Sequence, residues 1–477
     1  MTSLDAVVVG SGPNGLVAAV LLARAGLRVE VLEGMETPGG GCRTEDLTIP
    51  GFHHDVCSTV QALATASPVL RDLDLPGLGV RLCAPEVAVA HPLDSGTAAS
   101  VVASVDETAG GLGRDAESYA RLMAPLVAHA GGIVGAALSP PGTLPREPVA
   151  VARFAALGVG SVTRLSRGFR TDGARALLAG VGAHAVRPLD APLTAGIALV
   201  LTMVAHTGGW PVVEGGSARL TDALVRALCD AGGTVRTGEW VTDLDQLPAS
   251  RVTLLDTSPR GLASLAGARL ADRYARSLER FTYGPGVCKV DWALSGPVPW
   301  AAAACRRAGT VHVGGTFEEV AAAEAAVAQG LDVERPFCIV VQPCVADPTR
   351  APAGRHTLWA YCHVPPGSSV DMTSRIEAQI ERFAPGFGAL VLARATERAA
   401  DVERRNPNYV GGDINGGAAT LRQTLFRPTV RWRPYRTALR GLYLCSASTP
   451  PGGGVHGMCG AGAARAVLRD LGMRAHG

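Results

Sequence analysis

The sequence predicts an α/β protein: a Rossmann-like domain assembled from separated segments of chain, with an inserted α+β domain built on a mixed sheet. Three observations predict it. A strand–glycine turn–helix–strand unit opens the chain. A second glycine-rich strand–turn–helix unit closes it. Between them, strand-like apolar runs and helical stretches fall into two blocks. With 477 residues, 47% hydrophobic and 18% charged, the chain can fill two or three domains and is too apolar for disorder.

The opening unit is "VVVGSGPNGLVAAVLLARAGLRVEVLEG". Val7, Val8 and Val9 suit a strand covered on both faces. Gly10, Gly12 and Gly15, with Pro13 and Asn14 between them, give the spacing G-x-G-x-x-G. The first glycine permits the tight turn, the second lets a pyrophosphate approach the backbone, and the third lets the helix pack on the strand. Leu16 to Ala25 is the Ala- and Leu-rich crossover helix, and Leu27 to Leu32 returns as a strand. Glu33 ends that strand, where its carboxylate can accept the ribose hydroxyls of an adenosine. An acid there disfavours a 2′-phosphate but does not separate FAD from NAD.

The following stretch, "EGMETPGGGCRTEDLTIPGFHHDVCST", points to FAD. A simple NAD domain would proceed to another crossover helix. Three consecutive glycines, Arg43 and a Pro-Gly turn instead read as a backbone wrap around the second part of a long cofactor. The Gly39 to Gly41 backbone, with Gly40 and Gly41 assigned to cofactor binding, would lie against the ribityl chain, and Arg43 would neutralise the pyrophosphate. An ordinary surface loop is the alternative.

Residues 76–110 carry short strands, "GVRLCAPEVAVAHPL" among them, and residues 114–204 carry helical signs. "GGSARLTDALVRALCDAGGTV" reads as a glycine-led helix with Ser217 or Gly216 near its cap, and "RVTLLDTSPRGL" as a late strand of the parallel sheet. "YGPGVCKVDWALSG", "PFCIVVQPCVADP" and "RHTLWAYCHVPPG" read as further strands. "DMTSRIEAQIERFAPGF" places Met372, Ile376, Ile380 and Phe383 on one helical face. The expected segments are 1–75, 206–290 and 406–477 for the FAD domain, and 76–205 and 291–405 for the substrate domain.

The closing unit is "GLYLCSASTPPGGGVHGMCGAGAARAVLRD". Leu442 to Cys445 makes a strand, Pro450 to Gly454 a rigid turn, and Gly457 to Leu468 a helix with small residues along one face. Gly453, Gly454, Val455 and Met458 are assigned to cofactor binding. Small residues allow close approach to a flat ring or a neighbouring strand, and free N–H groups at the helix start would favour negative charge on a reduced flavin. One glycine cluster at each end of the chain can hold opposite ends of a long cofactor, which favours FAD.

These segments, with "VEGGSARLTDAL" and "NPNYVGGDINGG", resemble the FAD-dependent phytoene desaturase-like oxidoreductases of the amine oxidase and carotenoid desaturase superfamily. The resemblance runs over most of the chain. It implies a two-domain flavoprotein in which hydride passes between a substrate carbon and flavin N5. The substrate class it implies is apolar or secondary-metabolite-like, to be desaturated or oxidised. Flavin-dependent amine oxidase, saturase, redox-neutral isomerase and a non-catalytic FAD-binding protein are the alternatives. With only one full G-x-G-x-x-G unit, an internal NAD(P)H domain is not expected, so electrons would leave to oxygen, a quinone or another acceptor.

Lys289, the single lysine of the chain, sits mid-strand in "GVCKVDW", where burying an ammonium is costly. It also matches the position at which the amine-oxidase relatives place a lysine near flavin N5. An edge-strand lysine reaching water is the alternative. His456 precedes the last helix and Tyr409 sits in the polar loop "NPNYVGGDINGG". With Lys289 they are the catalytic candidates. His53, His54 and Asp55 are adjacent on an extended chain and so point to opposite faces. His312, Tyr361 and His363 read as packing or wall.

No metal signature, Walker loop or hydrolase elbow is present. The formal charge of +2, with no dense basic run, gives no nucleic-acid surface. Eleven scattered cysteines without a CxxC pair suit a reducing compartment, and the chain enters a strand too early for a signal peptide. A cytoplasmic location is expected, with peripheral membrane contact near "APLTAGIALVLTMVAHTGGWPVV", which reads as a buried helix or a membrane-touching substrate entrance.

Overall fold

The computed structural model describes residues 4–473. The chain enters a first sheet through β1 (Leu4–Val9), turns into α1 (Pro13–Arg24) and returns as β2 (Val29–Leu32). It crosses to a second sheet with β3 (Val87–Pro92) and β4 (Ala98–Val102). A helical stretch that includes α2 (Asp172–Ala183) and α3 (Thr194–Thr207) follows. The chain comes back to the first sheet through α4 (Ala218–Asp230), β5 (Thr234–Arg236) and β6 (Ser250–Leu255). It revisits the second sheet with β7 (Gly286–Leu294), β8 (Ala308–Val313), β9 (Cys338–Val341), β10 (His356–Val364), α5 (Thr373–Phe383) and β11 (Val391–Glu397). It closes in the first sheet with β12 (Leu442–Leu444) and α6 (Met458–Asp470).

The first sheet has the order β12-β6-β1-β2-β5 and is parallel throughout. Parallel strands need crossovers that cover their faces, which is why β1 reads as an unbroken valine run with Val7 and Val8 fully buried. The second sheet is mixed, in the order β11-β7-β10-β9-β8-β3-β4. The predicted architecture, a Rossmann-like core of non-contiguous segments beside a separate mixed sheet, is the one observed.

Alternation divides the second sheet into two faces. Cys288, Val290, Trp292, Val340, Leu358 and Ala360 point into one core, where Ile376, Ile380 and Phe383 of α5 cover them. The other face carries Lys289 and Asp291 of β7 opposite Tyr361 and Trp359 of β10. Thr310 and His312 of β8 and Ile339 and Val341 of β9 share that face. It is this second face that turns toward the first domain.

Two expectations change here. Residues 286–290 belong to the second sheet and not to the nucleotide segment. β7 pairs along its whole length with β10, so the crossing lies before Gly286. The small-residue face of the closing helix packs against α1. A Cβ on Gly460 would collide with the Asn14 carbonyl oxygen, and one on Gly457 would stand 2.7 Å from Val17 Cγ2. The stripe therefore serves helix–helix approach, not contact with a flat ring.

"APLTAGIALVLTMVAHT" contributes α3, whose residues Ala198, Leu199 and Met203 are buried. No single helix among the described residues is long and apolar enough to cross a membrane. One pair, Gly113–Ala128 and Ala130–Ala137, reaches the required length and composition only together, across a 74° bend.

Candidate functional site

The carboxyl ends of β1, β2 and β6 and the start of α1 frame one end of a cavity of about 750 Å³. Ligands of parallel α/β sheets sit outside the carboxyl ends of the strands. Gly10 has φ +97°, a left-handed conformation that glycine adopts without strain. A Cβ on Gly15 would collide with the Gly10 carbonyl oxygen, so the third glycine allows the helix to close on the turn.

Glu33 is buried and organises this end. Its Oε2 accepts from Ser11 N–H at 2.9 Å and from Ser11 Oγ at 2.5 Å, and its Oε1 accepts from Met35 N–H at 3.0 Å. Ser11 Oγ accepts in turn from Gly39 N–H at 3.1 Å. The strand-end acid thus ties the first glycine loop to the second. Ionised carboxylate oxygens carry more lone pairs than these bonds use, so capacity for a sugar hydroxyl remains.

Asp256, at the end of β6, sits in the mouth of the glycine turn. Its Oδ2 accepts from Gly15 N–H at 2.9 Å, and a Cβ on Gly12 would stand 2.6 Å from that oxygen. Burial, with the charge of Glu33 nearby, raises its pKa to about 7 against the opposing Gly15 hydrogen bond. The chain therefore places a readily neutralised carboxyl at the helix start where a phosphate would dock.

The residues present fit a dinucleotide. Among the described residues, Arg43 Nε, Asn14 Oδ1 and Thr257 Oγ1 are buried without a hydrogen-bond partner, Glu45 Oε1 standing 3.9 Å from Arg43 Nε, and all three side chains belong to the cavity wall. Such groups are costly to leave unmade. A Cβ on Gly40 would stand 3.2 Å from Gly12 Cα, so the two glycine loops meet backbone to backbone. Gly10, Gly12, Pro13, Asn14, Glu33, Gly40, Gly41 and Arg43 all border the cavity, as do Gly454, Val455 and Tyr409 from the closing segments. Tyr409 reaches over Gly41, where a Cβ would collide with its hydroxyl.

Gly15, Gly453, Met458, His456 and Lys289 stand behind this wall. Gly453 packs under Asn415, and a Cβ there would stand 2.5 Å from the Asn415 carbonyl oxygen. His456 is fully buried. Its Nε2 meets Gly452 O at 3.2 Å and its Nδ1 accepts from Met458 N–H at 3.1 Å. Both ring nitrogens are thereby engaged in the turn, and burial lowers the pKa to about 4. The expected contact of His456 with flavin or substrate gives way to this cap, which also takes up the Met458 N–H, one of the groups at the helix start.

Lys289 lies on a strand flanked by β10 and β11 and is 4% exposed, so the edge-strand alternative falls. Nζ donates to Asp291 Oδ2 at 2.5 Å and to Asp55 O at 3.1 Å, and stands 5.5 Å from the centroid of Trp359. His54 Nδ1 is 3.4 Å from Asp291 Oδ1. Asp55 faces the other way, accepting from Ser217 N–H and from Arg350 Nη1. His54 and Asp55 therefore point apart, as an extended chain requires, yet both brace the junction between sheet and nucleotide domain. In the polar loop, Asp413 accepts from Gly284, Asn415 and Gly417 N–H groups and holds a turn.

Toward the second sheet the wall becomes apolar: Ile339, Val341, Trp359 and Tyr361, with Thr310 from β8 and His184 from the end of α2. The Trp359 and Tyr361 rings stack at 5.8 Å and 10°. Among the described residues no cluster of metal-ligating side chains occurs, and all eleven cysteines are free.

Sequence reasoning missed Asp256, Trp240 and His184. Asp256 had a signal: it is the acid ending a predicted parallel strand, the position where ligands gather. Trp240, half-exposed at the cavity mouth, and His184 carry no local pattern and are brought in by the fold alone.

The description of an NAD(P)-binding Rossmann-like domain matches residues 8–73. The pyridine nucleotide-disulfide oxidoreductase domain-containing protein 2 of Mus musculus is 28% identical over 98% of this chain and 94% of its own length. Among solved structures, an oxidoreductase from Methanosarcina mazei superposes with a TM-score of 0.65 at 16% identity, covering 98% of this chain and 100% of that one. Cyclohexylamine oxidase from Brevibacterium oxydans does so with a TM-score of 0.59 at 15% identity over 98% and 100%. The chain is an oxidoreductase whose first segment forms a nucleotide-binding Rossmann-like domain, and its fold is shared with solved oxidoreductases that include an amine oxidase.

Proposed function

We propose that the chain is a phytoene desaturase-like, FAD-dependent oxidoreductase that desaturates or oxidises a largely apolar organic substrate. One observation carries the reading. A single cavity runs from the Glu33 carboxylate, past both glycine loops and the 454–455 turn, to the apolar wall of the second sheet. A cofactor bound from its adenosine end at Glu33 would have its reactive end delivered toward that wall. The fold shared with an amine oxidase supports a flavin in this arrangement.

Bound FAD would supply a two-electron acceptor for hydride from a substrate carbon. The chain's own residues do the rest. Glu33 takes the ribose, and Arg43 and Asn14, both on the cavity wall, flank the cofactor's polar backbone. Ile339, Val341 and the stacked Trp359 and Tyr361 exclude water and orient the substrate. Tyr409 closes the wall over Gly41. Lys289 is a positioning residue: its ammonium holds the face of Trp359 from behind. Oxygen, a quinone or another acceptor then removes the electrons.

An anaerobic screen that follows bleaching of the visible flavin bands, with mass measurement of each product, tests this reading. A product lighter by two hydrogens supports it. Flavin that no apolar donor bleaches would point to a non-catalytic flavoprotein, and product of unchanged mass to an isomerase.

Replacing Glu33 by Ala should weaken FAD binding by about one to two decades, the value of a lost charge-assisted hydrogen bond. The loosened Ser11–Gly39 link acts in the same direction. Titration of the apoprotein with FAD measures it, and equal affinity in variant and parent would remove Glu33 from the ribose site.

A further inference from the structure

The nucleotide end of the cavity carries an exposed indole beside Glu33. Of the six tryptophans, Trp210, Trp292, Trp300 and Trp359 are buried, whereas Trp240 is 56% exposed and borders the cavity. An indole half in water presents apolar area that a flat ligand would cover.

Backbone bonds fix where this ring stands. The pairing of β2 with β5, with Leu32 opposite Arg236, continues beyond both strands. Glu33 N–H donates to Arg236 O at 2.8 Å, and Glu239 N–H donates to Glu33 O at 2.8 Å. Gly238 N–H donates to Met35 O at 2.9 Å. Trp240 thus follows directly on a residue bonded to the backbone of Glu33. Its six-membered ring rests on Gly34: a Cβ there would stand 2.3 Å from Trp240 Cε3 and 2.9 Å from Cζ3. Gly34 lies outside the left-handed region, so its own backbone does not call for glycine; the close approach of the indole does.

The bonds of Glu33 give the direction in which a base would leave the ribose. Oε2 faces Ser11 in the glycine turn, on the side where a diphosphate docks at the start of α1. Oε1 faces Met35 N–H. A ribose on this carboxylate sends its phosphate chain toward Ser11. Its base, one glycosidic bond away, turns to the other side, toward Gly34, Met35 and Trp240. The neighbouring acid, Glu239, is paired with Arg236. Trp240 therefore offers that base a ring, not a charge.

We propose that Trp240 is the platform on which the adenine of the cofactor stacks. The proposal rests on the reading of the nucleotide end as the FAD cradle and adds a cofactor-binding residue to that site. The adenosine half then contributes affinity of its own, independent of the flavin ring.

The test is calorimetric titration of the apoprotein with FAD, FMN and ADP, with tryptophan emission followed in parallel. FMN carries the flavin without adenosine, and ADP carries adenosine without flavin. ADP does not absorb where indole emits, so quenching by ADP reports contact. ADP should quench the emission of the parent, and Trp240→Phe should remove most of that quenching. Trp240→Ala should weaken FAD and ADP binding by about tenfold, the value of one base–aromatic stack, and leave FMN binding within about twofold. Trp240→Phe keeps a smaller ring and should restore FAD affinity to within about threefold of the parent. A merely structural tryptophan would instead change FAD and FMN affinity together, or neither.

Equal FAD affinity in Trp240→Ala and the parent, an equal loss for FMN, no quenching by ADP, or quenching that survives in Trp240→Phe would each overturn the proposal. A chain that takes up no FAD would defeat the functional reading instead. A chain that binds FAD as tightly without the indole would defeat this inference alone.

Discussion

Replacing Lys289 by Met should cost about 3–5 kcal/mol of folding stability at neutral pH, the range for removing one partner of a buried ion pair. Methionine keeps the length and apolar volume, so the loss comes from what the ammonium leaves behind. Asp291 is 1% exposed, and its Oδ2 would lose its donor. The Asp55 carbonyl would lose one as well.

The pH dependence follows from the sign of the shift. Burial alone would raise the Asp291 pKa, but the Lys289 ammonium and His54 outweigh it and hold the group below its ordinary value. In the parent this stabilisation is present above the unfolded carboxyl value near 3.9 and is lost as the pH falls through the lower folded value. In Lys289→Met burial dominates, the Asp291 pKa rises, and the folded state is penalised above that same unfolded value. The deficit should therefore be largest near pH 7 and shrink as the pH approaches 4. A double variant, Lys289→Met with Asp291→Leu, should recover most of the loss. Urea unfolding of the FAD-loaded proteins measures all three, and a single variant within about 0.5 kcal/mol of the parent would mean that the pair contributes nothing.

The second large effect concerns Asp256. With a pKa near 7 beside the start of α1, it is neutral in acid and ionised in mild base. A cofactor diphosphate docking on that helix start would meet a hydrogen-bonding carboxyl below pH 7 and a like charge above it. FAD affinity should therefore be flat below about pH 6 and fall by about tenfold per pH unit above pH 7, since binding must recover the proton. Asp256→Asn keeps the shape and holds the group neutral. It should abolish this slope and bind FAD about a hundredfold tighter than the parent at pH 9. Apoprotein titrations across pH 5–9 check it. A parent as flat as the variant would show that Asp256 does not face the diphosphate.

What the sequence revealed and what it hid divide along a physical line. The β1–α1–β2 unit was legible because its constraint is local: Gly10, Gly12 and Gly15 serve a turn whose geometry is set within a few residues, and Glu33 ends the next strand. Strands β3, β7, β9 and β10 of the mixed sheet were legible as apolar runs and α5 from its helical period, whereas the half-buried edge strand β11, with the sequence VLARATE, was not read as a strand. The faces of the strands were harder to read. In "GVCKVDWAL" all nine residues are buried, so exposure gives no alternation from which to assign Lys289. Its partner Asp291 lies only two residues away, yet the bond from Nζ to Asp55 spans 234 positions. His456 misled for a different reason: a histidine before a glycine-rich helix can face a ligand or cap a turn, and only the Met458 N–H and Gly452 carbonyl decide between them. The His184–His312 pair joins residues 128 positions apart and leaves no sequence pattern at all.

The central claim is that the cavity between Glu33 and the second sheet holds FAD. The most direct measurement is the visible spectrum of the purified protein, followed by mass analysis of what acid precipitation releases. The account predicts a yellow protein with two flavin bands and one FAD per chain, released intact because no covalent attachment motif is evident near Cys459. A colourless protein that takes up no FAD on titration, or one that releases a nicotinamide dinucleotide in its place, would contradict it.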